Sequence, residues 1–363
     1  MTDPSGAWTP DGSRVSDYDY HLPPGRVARY PAERRDESLL LVVPREGGGF
    51  RHRRFRQVTE LFRPGDLLVV NESKVLPARL LGRKPTGAAA EILLLRPAPS
   101  STDRHVWEAL VRPGGKLKPG RVVEVADDLR VDVLDSAPGG GRVVRLVCPG
   151  TVEEALERHG HMPLPPYLER DDEPLDRERY QTVYARVPGS VAAPTAGLHF
   201  TPEVLAGLEA VGVARTALTL HVGVGTFRPV EVEDPAAHEL HAEWYEVPPA
   251  AAEAVAATRA AGGRVWAVGT TAVRTLEAVA DEEGRVRAGT GTTDLFLRPP
   301  YRFRVVDALL TNFHLPRSTL LMLVAALGGY RQVMHAYREA VAGEYRFYSY
   351  GDAMAVVPGD AAR

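Results

Sequence analysis

The block from Arg79 to Val147 constrains this chain more than any other stretch. Six short β-rich runs follow one another there: Arg79–Arg83, Glu91–Arg96, Val106–Arg112, Arg121–Val125, Leu129–Leu134 and Arg142–Val147. Proline and glycine punctuate the gaps, as at Pro85-Thr86-Gly87, Pro113-Gly114-Gly115 and Pro138-Gly139-Gly140. Six strands at this spacing predict a small antiparallel barrel or sandwich.

On either side the pattern is that of strands and helices in turn. Upstream, Leu39–Val43 and Leu67–Val70 read as strands, and Val58–Phe62 as a short helix ended by Pro64-Gly65. Downstream, Thr151 caps a helix, and Thr201-Pro202-Glu203 opens another that Gly212 closes. Strands at Ala214–Val222, Arg264–Gly269 and Val305–Leu310 then alternate with helices at Pro249–Ala261, after Thr270-Thr271, at Thr319–Leu327 behind Ser318, and at Val333–Val341. The expected fold is an α/β main domain with an inserted small antiparallel β-barrel domain. The main domain takes residues 16–74 and 151–363, the barrel 75–150. A disordered tail is expected over 1–15, and Tyr345–Asp352 is expected to close the ordered part.

Composition narrows the function classes. The single cysteine, Cys148, excludes an intrachain disulfide, a multi-cysteine zinc site and a cysteine-ligated cluster. No apolar run approaches the length of a membrane span, and Met1–Val15 has no apolar signal core, so a cytoplasmic protein is expected. Net charge is −3 overall, but residues 74–150 hold 13 Lys and Arg against 8 Asp and Glu. All four lysines, Lys74, Lys84, Lys116 and Lys118, fall in that segment, and Arg51-His52-Arg53-Arg54-Phe55-Arg56 lies just upstream. These clusters are either a solvated surface or a phosphate-binding one.

The chemistry-bearing residues concentrate elsewhere, in Pro194-Thr195-Ala196-Gly197-Leu198-His199-Phe200 and His221-Val222-Gly223-Val224-Gly225-Thr226-Phe227-Arg228. Each pairs glycines, which let backbone approach a ligand, with a hydroxyl and an imidazole. A dinucleotide fingerprint fails because Arg228 stands where glycine is needed, and His238-Glu239-Leu240-His241 lacks one residue of the zinc-helix spacing. Gly189-Ser190 is not a nucleophile elbow. A third unit, Val268-Gly269-Thr270-Thr271 followed by Arg274 and Glu277, offers helix-start N–H groups and a forked cation for an anion or a sugar hydroxyl. His199, His221, His241 and His314 all border such loops and could exchange a proton near neutrality. Residues alone thus indicate a two-domain enzyme with a polar ligand pocket.

These same motifs resemble the S-adenosylmethionine:tRNA ribosyltransferase-isomerases of queuosine biosynthesis. The likeness rests on Met162-Pro163-Leu164-Pro165-Pro166-Tyr167, Tyr180-Gln181-Thr182-Val183-Tyr184, Ala193–Phe200, His221-Val222-Gly223 with Gly225-Thr226-Phe227, and Gly269-Thr270-Thr271 with Arg274-Thr275-Leu276-Glu277. Thr311-Asn312-Phe313-His314-Leu315-Pro316 and Tyr345-Arg346-Phe347 through Ser349 and Gly351-Asp352-Ala353-Met354 complete it, so that it spans about Tyr18–Val356. Two departures stand out. The family's usual Asn-Asn-Thr-Arg is here Asn71-Glu72-Ser73-Lys74, and a usual basic pair is here within Gly114-Gly115-Lys116-Leu117.

The resemblance implies transfer and isomerisation of the ribosyl unit of S-adenosylmethionine onto 7-aminomethyl-7-deazaguanine at the tRNA wobble position. Epoxyqueuosine forms, and adenine and methionine leave. It implies no metal and no cofactor beyond S-adenosylmethionine as co-substrate, and tRNA as partner; a monomer is expected. The sulfonium acidifies the adjacent ribose carbon, and His199 and His221 are the candidate bases. Thr195, Thr226, Thr270 and Thr271 are candidates for ribose hydroxyls or the methionine carboxylate, with Gly197, Gly223 and Gly225 beside them and Arg274 as carboxylate partner. Glu243 or Asp352 would bind the aminomethyl group, and Asn312, His314 and Arg346 the base or adjacent phosphate. Arg51, Arg53, Arg54, Arg79, Lys84, Lys116 and Lys118 are the expected tRNA contacts. The alternatives are ribosyl transfer to a free deazaguanine or nucleoside, and a non-catalytic tRNA-binding module.

Overall fold

The structure is a computed structural model that describes residues 10–45, 47–99, 101–223 and 230–359. Its first strands are β1 (Leu39–Pro44), β2 (Arg51–Arg54), β3 (Leu67–Asn71) and the short β4 (Ser73–Val75). The next six are β5 (Arg79–Arg83), β6 (Ala89–Pro97), β7 (Val106–Arg112), β8 (Val122–Ala126), β9 (Leu129–Ser136) and β10 (Arg142–Val147). Every pairing among these six is antiparallel, and they close into a barrel in the order β10-β7-β6-β5-β8-β9. Closure removes the exposed strand edges that so small a sheet would otherwise present. Alternate residues point inward, so Leu80, Ile92, Leu94, Val131, Val133 and Val144 fill one core.

Helix α1 (Val152–His159) also belongs to that core, through Val152, Ala155 and Leu156. Its N-terminus carries the expected cap, with Thr151 Oγ accepting the Glu154 N–H and the Glu154 carboxylate accepting the Thr151 N–H. The expected boundary at residue 151 puts α1 with the main domain; its apolar side packs on the barrel core.

After the short helix α2 (Asp176–Arg179) come β11 (Val187–Ser190), α3 (Pro202–Ala210), β12 (Ala214–Leu220) and β13 (Glu243–Val247). Then follow α4 (Pro249–Ala260), β14 (Val265–Val268), α5 (Gly269–Val279), β15 (Gly289–Thr293) and β16 (Ala308–Asn312). The chain ends in α6 (Thr319–Gly328), α7 (Tyr330–Ala342) and β17 (Ala353–Val357). Nine strands form one sheet in the order β15-β13-β12-β3-β14-β16-β17-β1-β2. The four at its centre, β12, β3, β14 and β16, are parallel.

Both faces of this sheet are covered. Leu67 and Val69 of β3 face one core with α4 to α7, and Leu68 and Val70 face the other with α3 and the turn Phe55–Leu61. Burial on both sides explains why the central strands read as unbroken apolar runs. The sequence missed β17, having ended the ordered chain at Asp352. All five residues of β17 are buried between β1 and β16. The expected tail also reaches less far, since Gly12 and Val15 are buried; Asp17 Oδ2 accepts the Gly12 N–H, and Tyr18 Oη donates to the Gly12 carbonyl. Residues 1–9 lie outside the described residues. No described helix is long and apolar enough to cross a membrane.

At the opposite end of the central strands, Asp66 is fully buried, accepting from the Arg264 guanidinium at 2.5 Å and from the Trp266 indole at 3.2 Å. Arg264→Met would strand that carboxylate, and urea unfolding is expected to show a loss of about 3–5 kcal/mol.

Candidate active site

Parallel strands bring their carboxyl ends to one edge. The long crossover from β3 to β12 places α3 on one face and that from β14 to β16 places α5 on the other, which opens the crevice where α/β sheets bind ligands. At that edge Asn71 ends β3 and Asn312 ends β16, while α5 begins at Gly269 directly after β14. Asn71 ties the edge together: its Nδ2 donates to the Leu220 carbonyl at 3.0 Å and to Thr271 Oγ1 at 3.2 Å. Because β17 and β1 run the other way, their starting ends arrive at the same edge, bringing Ser38 and Ser349–Asp352 with them.

A hollow opens there, lined by Thr195, Val222, Gly269, Thr270, Thr271, Thr311, Asn312, His314 and Ser349 among others. Of the expected substrate contacts, Thr195, Thr270, Thr271, Asn312 and His314 thus share one cavity. Gly225 and Thr226 lie outside the described residues. Gly197 sits behind the lining, where a Cβ would fall 2.2 Å from Tyr184 Oη; only glycine fits that approach. Asn71, Ser38 and the Tyr167–Ser349 hydroxyl pair at 2.5 Å were not singled out as site residues. A polar residue ending a fully apolar strand run, as Asn71 does, was the available signal.

The two candidate bases differ. His199 is buried, its ring stacked on Phe55 with centroids 5.0 Å apart. Its Nδ1 is 2.7 Å from Ser38 Oγ and its Nε2 is 3.1 Å from Asn312 Nδ2, so both nitrogens are engaged. Burial first, then the Arg346 and Arg35 cations, push its pKa down to about 3. His221 stacks on Trp244, and its buried Nδ1 has no partner among the described residues. The ring lies so close over Gly189 that a Cβ there would meet Nε2 at 2.8 Å. Burial lowers its pKa to about 4. His314 is likewise held down to about 3 by burial, with Nε2 2.8 Å from Thr311 Oγ1.

The expected charged contacts are already engaged within the protein. Arg274 donates to the Glu243 carboxylate, both side chains being buried, and Glu243 Oε1 accepts the Gly223 N–H at 2.8 Å. Arg274 therefore has its carboxylate inside the protein. Asp352 accepts the Leu39 and Arg346 N–H groups at 2.8 and 2.7 Å, and burial raises its pKa. The Arg346 guanidinium lies 3.9 Å from Asp352 and outside the hollow. His241 is exposed and also outside it, and no described cluster of three His, Cys, Asp or Glu could hold a metal.

Among the basic residues, Arg51, Arg53 and Arg54 form β2, the sheet's edge strand, and Arg54 stands at the crevice edge opposite Leu39. Lys116 and Lys118 are exposed on the barrel, and Lys84 is half-buried. Arg79 is turned to Glu91 at 3.0 Å and Asp171 at 3.5 Å. In the departure at residues 71–74, Glu72 pairs with Arg186 at 2.5 and 2.9 Å.

The model of the family described as "Queuosine biosynthesis protein" matches residues 15–356. The chain belongs to this family. Its relatives include the S-adenosylmethionine:tRNA ribosyltransferase-isomerase of Symbiobacterium thermophilum, 57% identical over 95% of this chain and all of that one. The enzyme of the same name from Pelotomaculum thermopropionicum is 54% identical over 94% of this chain and 99% of its own. Among solved structures, the S-adenosylmethionine tRNA ribosyltransferase of Thermotoga maritima is 39% identical, covering 94% of this chain and 99% of that one, with a TM-score of 0.54. In this ribosyltransferase-isomerase, Thr195, Thr270, Thr271, Asn312 and His314 share the hollow at the strand-end crevice.

Buried His199 and His314 and half-buried His221 make stability depend on pH. Folded, they stay neutral down to about pH 3–4; unfolded, they take up protons near 6.5. The unfolded state therefore binds more protons below about pH 6.5, and stability falls as pH drops from there toward 4. Thermal melts from pH 7.5 to 4.5 should show this decline, and His314→Gln should make it shallower.

Proposed function

We propose that this chain transfers and isomerises the ribosyl unit of S-adenosylmethionine onto 7-aminomethyl-7-deazaguanine at the wobble position of tRNA. The product is epoxyqueuosine, with adenine and methionine released, and the enzyme works as a cytoplasmic monomer. One observation carries the reading: Thr195, Thr270, Thr271, Asn312 and His314, drawn from three separate family motifs, line a single hollow at the strand-end crevice.

In this reading the hydroxyls of Thr195, Thr270 and Thr271 hold the ribose. The sulfonium acidifies the ribose carbon bonded to it, and a base takes that proton. Neither candidate lines the hollow; His221, next in the chain to the lining residue Val222, is the better of the two, because its Nδ1 is unpartnered among the described residues while both nitrogens of His199 are engaged. Its lowered pKa keeps the imidazole neutral, and so able to accept a proton, across the physiological range. The Glu243–Arg274 pair holds the Gly223 backbone beside it rather than meeting substrate directly.

The tRNA reaches this crevice across two cationic surfaces. One is β2, and the other is the barrel with Lys84, Lys116 and Lys118. The chain enters the barrel from the carboxyl end of β3, five strands from β2, a span of roughly 24 Å.

Incubation with S-adenosylmethionine and tRNA bearing the aminomethyl base, followed by mass analysis of the nucleosides, should reveal epoxyqueuosine; unmodified tRNA would refute the assignment. His221→Gln should slow adenine release by about 10²–10⁴, and near-native release would remove His221 from the role. Raising salt from about 50 to 200 mM should weaken tRNA binding at least about 100-fold. Binding insensitive to salt would rule out the two cationic surfaces as docking sites.

A further inference from the structure

The His199–Asn312 contact has a determinate direction. Asn312 Nδ2 lies 3.2 Å from the Tyr348 carbonyl, which can only accept, so the amide nitrogen must face that side. The same nitrogen is 3.1 Å from His199 Nε2, which therefore accepts its second N–H. His199 then carries its proton on Nδ1 and donates it to Ser38 Oγ, whose own hydroxyl donates to the Arg35 carbonyl at 3.4 Å. Every donor in this chain is used. What remains is Asn312 Oδ1, buried and without a partner among the described residues, on a residue that lines the hollow.

A buried acceptor left unmade is costly, so its persistence calls for a donor that arrives with the ligand. The hollow also restricts what that ligand can be. Among the described residues none that lines it is Asp, Glu, Lys or Arg, and the one imidazole among them, His314, is held to Thr311. A flat heterocycle bearing N–H groups can supply that donor without bringing a further charge into the hollow.

We infer that Asn312 reads an N–H of a nucleobase seated in this hollow through its side-chain carbonyl, and that His199 is the positioning residue that keeps this carbonyl turned to the base. The inference rests on the ribosyltransferase-isomerase reading and assigns His199 a role other than proton transfer. Both substrates of that reaction carry such N–H groups: the 6-amino group of adenine in S-adenosylmethionine, and the ring N–H and 2-amino group of the deazaguanine in tRNA.

The test measures binding of each substrate separately, by calorimetry, to the native enzyme and to Asn312→Ala. One of the two affinities should fall at least tenfold while the other holds within twofold. The one that falls names the base, and the one that holds shows that the variant is folded. A second arm needs no variant. It offers the native enzyme an S-adenosylmethionine lacking the 6-amino group, and a tRNA whose deazapurine lacks both the ring N–H and the 2-amino group. One of these should bind at least tenfold more weakly than its parent; equal binding of both analogues with their parents overturns the assignment.

For His199, replacement by Phe keeps the ring stack but removes the acceptor, and should raise the same substrate's KM. Replacement by Gln restores an acceptor near the Nε2 position and should bring KM back toward native with an unaltered pH–rate profile. A Gln variant with native KM, kcat lowered by 100-fold or more and a changed profile would make His199 the base and refute the positioning role. Failure of the functional reading looks different: parent tRNA would gain no ribosyl unit with the native enzyme.

Discussion

Two-sided burial of the central sheet is the constraint from which the rest follows. Residues of β3 alternate between two apolar cores, and β1, β14 and β17 do the same. With both faces sealed, polar side chains and a ligand can meet the sheet only at strand ends. Four parallel strands direct one set of ends to a single edge, and the reversed strands β17 and β1 add their starting ends to it. The barrel is entered from that edge too, since β3 finishes there immediately before β4.

Burial also sets the chemistry of the crevice. Desolvation, the leading cause of the shift at His199, His221 and His314, opposes the charged imidazole, and all three remain neutral near pH 7. Neutral rings accept hydrogen bonds or protons; they do not supply positive charge. Two charged pairs near the crevice are internally compensated, Arg274 with Glu243 and Arg346 beside Asp352. The hollow itself is left to hydroxyls, amides and backbone, a surface suited to sugars and bases.

Much of this was legible in the chain. The limits of β5, β7 and β10 coincide with the runs read from sequence, because Pro, Gly or, before β7, a polar stretch interrupts the apolar pattern at each end. The caps at Thr151, Thr201 and Ser318 form as expected, each hydroxyl accepting an N–H three residues on, since a cap depends only on its own turn. By contrast β2 was read only as a run of cations, and β13, β15 and β17 went unread. Such strands owe their conformation to the neighbour they pair with. β17 exists because β1 and β16, far apart in the chain, leave a gap of one strand between them.

The sequence by itself determined the capped helices, the inserted barrel, the motif set and the family, because each is carried by short runs and their spacing along the chain. Tertiary structure alone decided the order of the strands and which motif residues share the hollow. It also decided the burial of His199 and His314, and the lowered pKa of these two and of His221. The reason is range: His199 meets Ser38 and Asn312, 161 and 113 residues away, and those two contacts engage both of its ring nitrogens.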